Sequence, residues 1–159
     1  MPAASKRSSP STAGRSLLRI QAVPAPQELI QQVPLFADLD KRELQGLASS
    51  MKERNFDVGD TIAVEGQSGV GFFIIDEGEA TISVKGEDLN TLGHGDYFGE
   101  VALIDDGART ATITAKSPLK CYGITSWEFK PLVEQNADLA WKMLQTMAKM
   151  LRASEQRVG

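Results

Sequence analysis

Gly71-Phe72-Phe73-Ile74-Ile75-Asp76, followed across Glu77-Gly78 by Ala80-Thr81-Ile82-Ser83-Val84-Lys85, is the stretch that decides the fold. Phe72 to Ile75 is a short buried run within a region whose rhythm is that of strands. In the second run Ala80, Ile82 and Val84 point one way while Thr81, Ser83 and Lys85 point the other, the period-two pattern of a half-buried strand. The same rhythm continues outward. Ile62 and Val64 alternate with Thr61 and Ala63, and Ala111, Ile113 and Ala115 alternate with Thr110, Thr112 and Thr114. Gly59-Asp60, Gly86-Glu87-Asp88 and Gly93-His94-Gly95 punctuate the runs. Short strands between glycine turns about 8–12 residues apart predict a sandwich or jelly-roll β-barrel of about eight strands.

Helices flank this region. Pro24 and Pro26 close the N-terminal segment, and Pro34 separates a short Gln27–Val33 piece from the segment after it. Asp40-Lys41-Arg42-Glu43 has the form of a capping box, and Leu44, Leu47, Ala48 and Met51 come after it at helical spacing, which predicts a helix from about Lys41 to Met51. Trp127–Glu134 reads as a second helix. A third runs from Ala137 to about Arg152, with Leu139, Met143, Met147 and Leu151 on one stripe and Ala140, Leu144 and Ala148 beside it. The fold class is therefore mainly β with flanking helices: a jelly-roll β-barrel, an N-terminal helix and two C-terminal helices. The expected divisions are a disordered basic leader over 1–26, one folded domain over 27–155 and a tail over 156–159.

A chain of 159 residues is long enough for one core and hardly for two. Apolar content of 42% and charged content of 24% are ordinary for a globular protein, so composition alone selects no special class. No apolar run approaches the ~20 residues of a membrane span. The N-terminus lacks the apolar core of a secretory signal. One cysteine, Cys121, cannot form an internal disulfide, which agrees with a reducing, cytoplasmic location. One histidine, His94, argues against a histidine-rich metal centre. Lys6, Arg7, Arg15 and Arg19 stand in a leader without acids, which leaves the rest of the chain at −8 against −4 for the whole. The leader is either a plain disordered segment or an arm for nucleic acid or a partner. The acidic body argues against nucleic-acid binding by the folded domain.

The chemistry concentrates in Phe98-Gly99-Glu100-Val101-Ala102-Leu103-Ile104-Asp105-Asp106-Gly107-Ala108-Arg109-Thr110-Ala111. Gly99 allows a sharp turn and a close ligand. The amides of the short helical turn beyond it are unpaired donors suited to an anion. Arg109 adds a positive fork matched to phosphate oxygens, and Glu100 can accept from a hydroxyl. Together these describe a ribose bearing a phosphate. By spacing alone, a plain structural ion pair between Glu100 and Arg109 is the favoured reading, and only the order of residue types around them overturns it.

The order of residues around them resembles the phosphate-binding cassette of the cyclic-nucleotide-binding domain family: Phe98-Gly99-Glu100, Val101, Ala102-Leu103, then Arg109-Thr110-Ala111. Pro34-Leu35-Phe36, Leu39, Leu44, Leu47-Ala48, Phe56, Gly59-Asp60, Glu65-Gly66, Phe72 to Ile75, Gly78 and Gly95-Asp96 resemble the family's other landmarks, so the likeness spans roughly Val33 to Arg152. It implies a ligand, cAMP or cGMP, and no cofactor. Arg109, with Thr110 and backbone amides near Ala102, would hold the cyclic phosphate. Glu100 and the Gly99 backbone would hold the ribose 2′-hydroxyl. Ile82 and Leu89 would line the base, and one or more of Met147, Met150, Leu151 and Arg152 would form a lid.

Thr110 stands where many cAMP-selective relatives have alanine, and Asp105 and Asp106 bring negative charge to the loop. The chain ends seven residues after Arg152, which gives the expectation of a stand-alone sensor. Such a sensor would signal through its C-terminal helices to an unidentified protein effector. The alternatives are a nucleotide-insensitive interaction module, or a regulatory segment of a channel, kinase or transporter. Enzymatic activity is not expected, since no nucleophile–base pair is visible. His94 reads as a solvated loop residue and Cys121 as a buried, inert thiol. Trp141 is either packed or exposed; exposed, it would suggest a partner contact or a homodimer through the last helix.

Overall fold

A computed structural model describes residues 24–68, 71–105 and 107–158. The expected leader lies outside these residues except for its end at Pro24, Ala25 and Pro26. Eight strands occupy Lys52–Phe56 (β1), Thr61–Ala63 (β2), Phe72–Glu77 (β3), Ala80–Val84 (β4), Glu87–Leu92 (β5), Tyr97–Phe98 (β6), Thr112–Ala115 (β7) and Leu119–Ile124 (β8). They form two antiparallel sheets in the orders β1-β8-β3-β6 and β2-β7-β4-β5. This is jelly-roll wiring, in which the inner faces of two sheets close over one core.

β3 shows why its sequence is apolar throughout. Phe73 and Ile75 face the second sheet and pack with Phe98, Ile113, Ala115, Leu119 and Cys121. Phe72 and Ile74 face the helices, among Phe36, Tyr122, Ile124 and Phe129. The alternation read for β2 does not hold. Ile62 and Ala63 are both buried and Val64 is exposed, because the pairing with β7 slips between Thr61 and Ala63. A strand irregularity of this kind re-aims the side chains beyond it.

The helices among the described residues are Gln27–Gln31 (α1), Lys41–Ser50 (α2), Ala102–Asp105 (α3), Ser126–Glu134 (α4) and Ala137–Val158 (α5), with a 3₁₀ turn at Pro34–Phe36. The expected capping box starts α2: Asp40 N donates to Glu43 Oε1 at 2.9 Å and Glu43 N donates to Asp40 Oδ1 at 2.8 Å. Thr125 and Glu128 cap α4 in the same way. Phe36 meets Phe72 and Phe129 edge-on, at centroid distances of 5.5 and 6.2 Å, and anchors the helical layer. No helix among the described residues is long and apolar enough to cross a membrane.

α5 continues past Arg152 to Val158 and divides into two halves. Leu139, Met143 and Thr146 are buried and Met147 is half-buried, whereas Ala148 to Gln156 are all exposed. Leu151 therefore leaves the expected stripe because the helix has run beyond the body of the domain. Trp141, 62% exposed, takes the exposed alternative. Lys142 fastens the docked half: its Nζ donates to Glu43 Oε1 at 2.7 Å and lies 3.7 Å from Asp40, while in the exposed half Lys149 lies 3.6 Å from Asp38. The hydrogen bond to Glu43 is the main cause that holds the Lys142 ammonium above its ordinary range.

The backbone N–H of Glu43 holds the Asp40 carboxyl below its ordinary value of 3.8, assisted by Lys142. A carboxylate depressed on folding stabilises the fold fully above its unfolded value, and that contribution fades as the pH falls through the lower folded-state value. Asp40→Ala should therefore lower the Tm most near neutral pH, and the gap from wild type should shrink below about pH 4. Thermal melts of both proteins between pH 2 and 7 measure it; a gap constant with pH would refute the assignment.

Candidate functional site

Phe98 ends β6 against Phe73 of β3, and the next residue, Gly99, turns the chain with φ +90° toward α3. From there the segment to Thr110 curls around a cavity of about 300 Å³, lined by Gly99, Glu100, Ala102, Asp105, Arg109 and Thr110 among others. The five residues expected to hold the ribose and phosphate thus meet at one cavity. Position in the jelly roll explains this: the segment joins β6 of one sheet to β7 of the other.

Arg109 is fixed before its side chain is considered. Its N–H donates to Gln67 O at 2.8 Å, and its carbonyl accepts from Gly66 N at 2.8 Å. The residue is 8% exposed. Its Nη2 donates to the Gly71 carbonyl, while its Nε is buried with no hydrogen-bond partner. Gly99 must lack a side chain here, since a Cβ would overlap both the Arg109 Nη1 and the Gly71 oxygen. Gly71 is a site residue that the sequence reading missed. Its signal was a glycine opening a buried strand, where a backbone is approached closely.

Burial is the main influence on the Arg109 guanidinium and pulls it below its ordinary range, while the negative charge of Glu100 opposes this. The group stays protonated at physiological pH. Burial, then Glu100 and Asp96, push the Tyr97 phenol up. Glu100 and Arg109 are not joined by an ion pair within 4 Å, so the structural-pair reading has no contact to rest on. Asp105, although it lines the cavity, is engaged locally: its Oδ1 accepts from Gly107 N at 2.9 Å. Asp106 lies outside the described residues.

The remaining expected residues are spread around this centre. Ile82 is half-buried against the inter-sheet core, and Leu89 is 59% exposed on the edge strand β5; neither lines the cavity. Met147 and Met150 line a separate apolar cleft of about 240 Å³ with Leu35, Tyr97, Val101 and Ile104. That cleft shares Glu100, Val101 and Asp105 with the main cavity. Leu151 and Arg152 project into solvent.

A buried cation with an unmet donor, a carboxylate at the same cavity and a glycine floor make a seat for a small anion carrying a hydroxyl. Among the described residues there is no group of histidine, cysteine and acidic side chains able to hold a metal. Cys121 is fully buried and its thiol is pushed up to about 12, chiefly by burial, so it is inert.

Comparison with known proteins agrees with this geometry. The profile of the cyclic nucleotide-binding domain matches residues 53–136, strands, cassette and α4 together. The chain belongs to the cyclic nucleotide-binding domain family. It is 41% identical over 93 residues to a cAMP-dependent protein kinase regulatory subunit of Yarrowia lipolytica, covering 57% of this chain and 25% of that protein. To the subunit of the same name from Schizosaccharomyces pombe it is 34% identical over 114 residues, covering 71% and 28%. The chain thus spans about a quarter of the length of the curated relatives it matches. Among solved structures it resembles the N-terminal domain of a transcriptional regulator from Streptomyces coelicolor, with TM-score 0.75 and 28% identity over 80% of this chain and 95% of that one.

The arginine's situation generates a stability prediction for this cyclic nucleotide-binding domain. A buried guanidinium with one anchoring hydrogen bond contributes little net stability, because desolvation offsets what the bond supplies. Arg109→Met, measured without ligand by urea unfolding, should stay within about 1 kcal/mol of wild type. A loss of several kcal/mol would make Arg109 a structural residue instead.

Proposed function

We propose that the Gly99–Thr110 cavity binds cAMP, and that the domain acts as a non-catalytic regulatory sensor. The observation that carries this reading is the Arg109 Nε, buried and without an acceptor. A phosphate oxygen would satisfy it, and leaving such a donor unmet costs about 1–3 kcal/mol. In this reading Arg109 takes the cyclic phosphate with Thr110 and the Ala102 region. Glu100 and the Gly99 backbone take the ribose 2′-hydroxyl. The names of the kinase relatives support cAMP as the nucleotide. Thr110 is exposed at the cavity, where its hydroxyl can reach a base, so cGMP is the natural competitor.

The C-terminal half of α5 supplies the moving part. Its residues Ala148 to Gln156 are exposed and touch the body lightly, through Lys149 beside Asp38 and through Met150, which sits with Met147 at the cleft that shares a wall with the cavity. Ligand would favour an arrangement in which this half, Leu151 and Arg152 included, closes toward the base. Occupancy shifts such an equilibrium only by its preference for one arrangement. The exposed apolar row Trp141, Leu144 and Leu151 is the surface that an effector protein would read.

Calorimetric titration with cAMP, cGMP and 5′-AMP tests the ligand. We expect cAMP to bind at least as well as cGMP and far better than 5′-AMP. Arg109→Ala should lose about 30- to several-thousand-fold in affinity, the ~2–5 kcal/mol of a desolvated charge pair, with Arg109→Lys recovering part. Full affinity in Arg109→Ala would overturn the reading. Hydrogen exchange tests the switch: protection over Ala148–Gln156 should rise with cAMP, and protection confined to the cassette would mean a rigid domain.

A further inference from the structure

Gly71 stands where the phosphate arginine meets the start of the C-terminal helices. Its φ of +140° is a conformation that side-chain-bearing residues rarely adopt. A Cβ there would run into the Ile124 carbonyl and come within 3.1 Å of the Thr125 Cα. On its other side, the Gly71 carbonyl accepts from Arg109 Nη2 and lies in the space a Gly99 side chain would need. One glycine is thus wedged between the guanidinium and the peptide leading into α4. Thr125 is the N-cap of that helix: its N–H donates to Glu128 Oε1 at 3.0 Å, and its Oγ1 accepts from Glu128 N at 3.3 Å. Glu128 is tied in turn to Lys52 of β1 at 3.0 Å.

We propose that Gly71 is the positioning residue of Arg109 and the joint through which movement of the guanidinium reaches the N-terminus of α4. The inference rests on the cAMP reading and deepens it. A guanidinium held at one nitrogen is aligned before phosphate arrives, so less of its rotamer freedom is lost on binding. When phosphate engages the remaining N–H groups, any shift of the guanidinium bears on the Gly71 carbonyl. Gly71 has no free space behind it, because the Ile124–Thr125 peptide is already in contact. Close-packed groups pass on such a displacement rather than absorb it. The position must be glycine for both tasks: a side chain would push the start of β3 away from β8 and carry the carbonyl off the arginine.

Coupling evidence, not contiguity, is the proper test of a contact route. In the full chain, Gly71→Ala should weaken cAMP binding about tenfold or more, yet by less than twofold in an Arg109→Met background read by NMR titration. Equal losses in both backgrounds would overturn the positioning role. For the joint, Trp127 of α4 reports in a Trp141→Phe protein. Its emission should change with saturating cAMP, and Gly71→Ala should abolish the change at equal occupancy. A change that survives Gly71→Ala, or an unchanged emission in the Gly71 form with cAMP bound, would overturn it. A third measurement needs neither a variant fold nor a ligand. NMR of the Arg109 side chain, assigned by its loss in Arg109→Met, should show separate Nη signals in the free protein. Averaged signals from a freely turning guanidinium would refute the anchoring. Failure of the unaltered chain to bind cAMP would count against the nucleotide reading alone, since the anchoring is judged on the free protein.

Discussion

A positive charge held almost wholly out of water is the constraint on which the rest of this domain depends. Arg109 has its backbone clamped by Gly66 and Gln67, one guanidinium nitrogen held by Gly71 and the other terminal nitrogen in the space a Gly99 side chain would need. These contacts come from the β2–β3 connection, the end of β6 and the approach to β7. Only a fold that brings two separate connections, β2–β3 and β6–β7, to one place can build such a seat. The jelly roll does so because the chain passes from sheet to sheet and returns its connections to common ends.

The sheet β1-β8-β3-β6 has a second role as a partition. One face belongs to the core between the sheets and the other to the helical layer, so Phe73 and Phe72 serve different cores although adjacent in sequence. The cassette stands at the edge of this partition. Leu103 is buried with the helical layer, while Val101 and Ile104 are exposed over apolar clefts. A rearrangement of α4 or α5 would therefore change what covers the cassette without opening the inter-sheet core. Stability is unevenly spread in the same sense: the first half of α5 is docked by apolar burial and by Lys142, and the second half only by exposed Lys149 beside Asp38 and Met150 at the cleft. Elements of the latter kind are those that move at low cost.

Charge works locally here rather than globally. The chain is acidic, and Glu100 and Asp105 both line a cavity assigned to an anion. The anion's seat depends on which groups have unmet bonding capacity. Asp105 is engaged by Gly107, whereas Arg109 keeps a buried donor without a partner. Net charge sets the behaviour of the surface with salt and distant partners, while a desolvated pair responds to its immediate neighbours.

The strands, the capping box at Asp40 and the cassette at Phe98–Ala111 were legible in the sequence. Each is written in local terms: alternation, turn residues, or a fixed order of residue types over one short segment. Glu100 and Arg109 belonged to that legible set because a short segment alone brings them to one cavity. Other features needed the tertiary structure. Gly71 is thirty-eight residues from Arg109 in sequence and Glu43 is ninety-nine from Lys142, and no local pattern encodes such meetings. The slip that buries Ala63 beside Ile62 depends on how β2 pairs with β7, and the exposure of Leu151 depends on where the body of the domain ends. Sequence determined the elements and the chemistry available, because propensity and capping act over a few residues. Tertiary structure alone decided which donor is left unmet and which half of α5 is free, because burial is a property of what the rest of the chain places alongside.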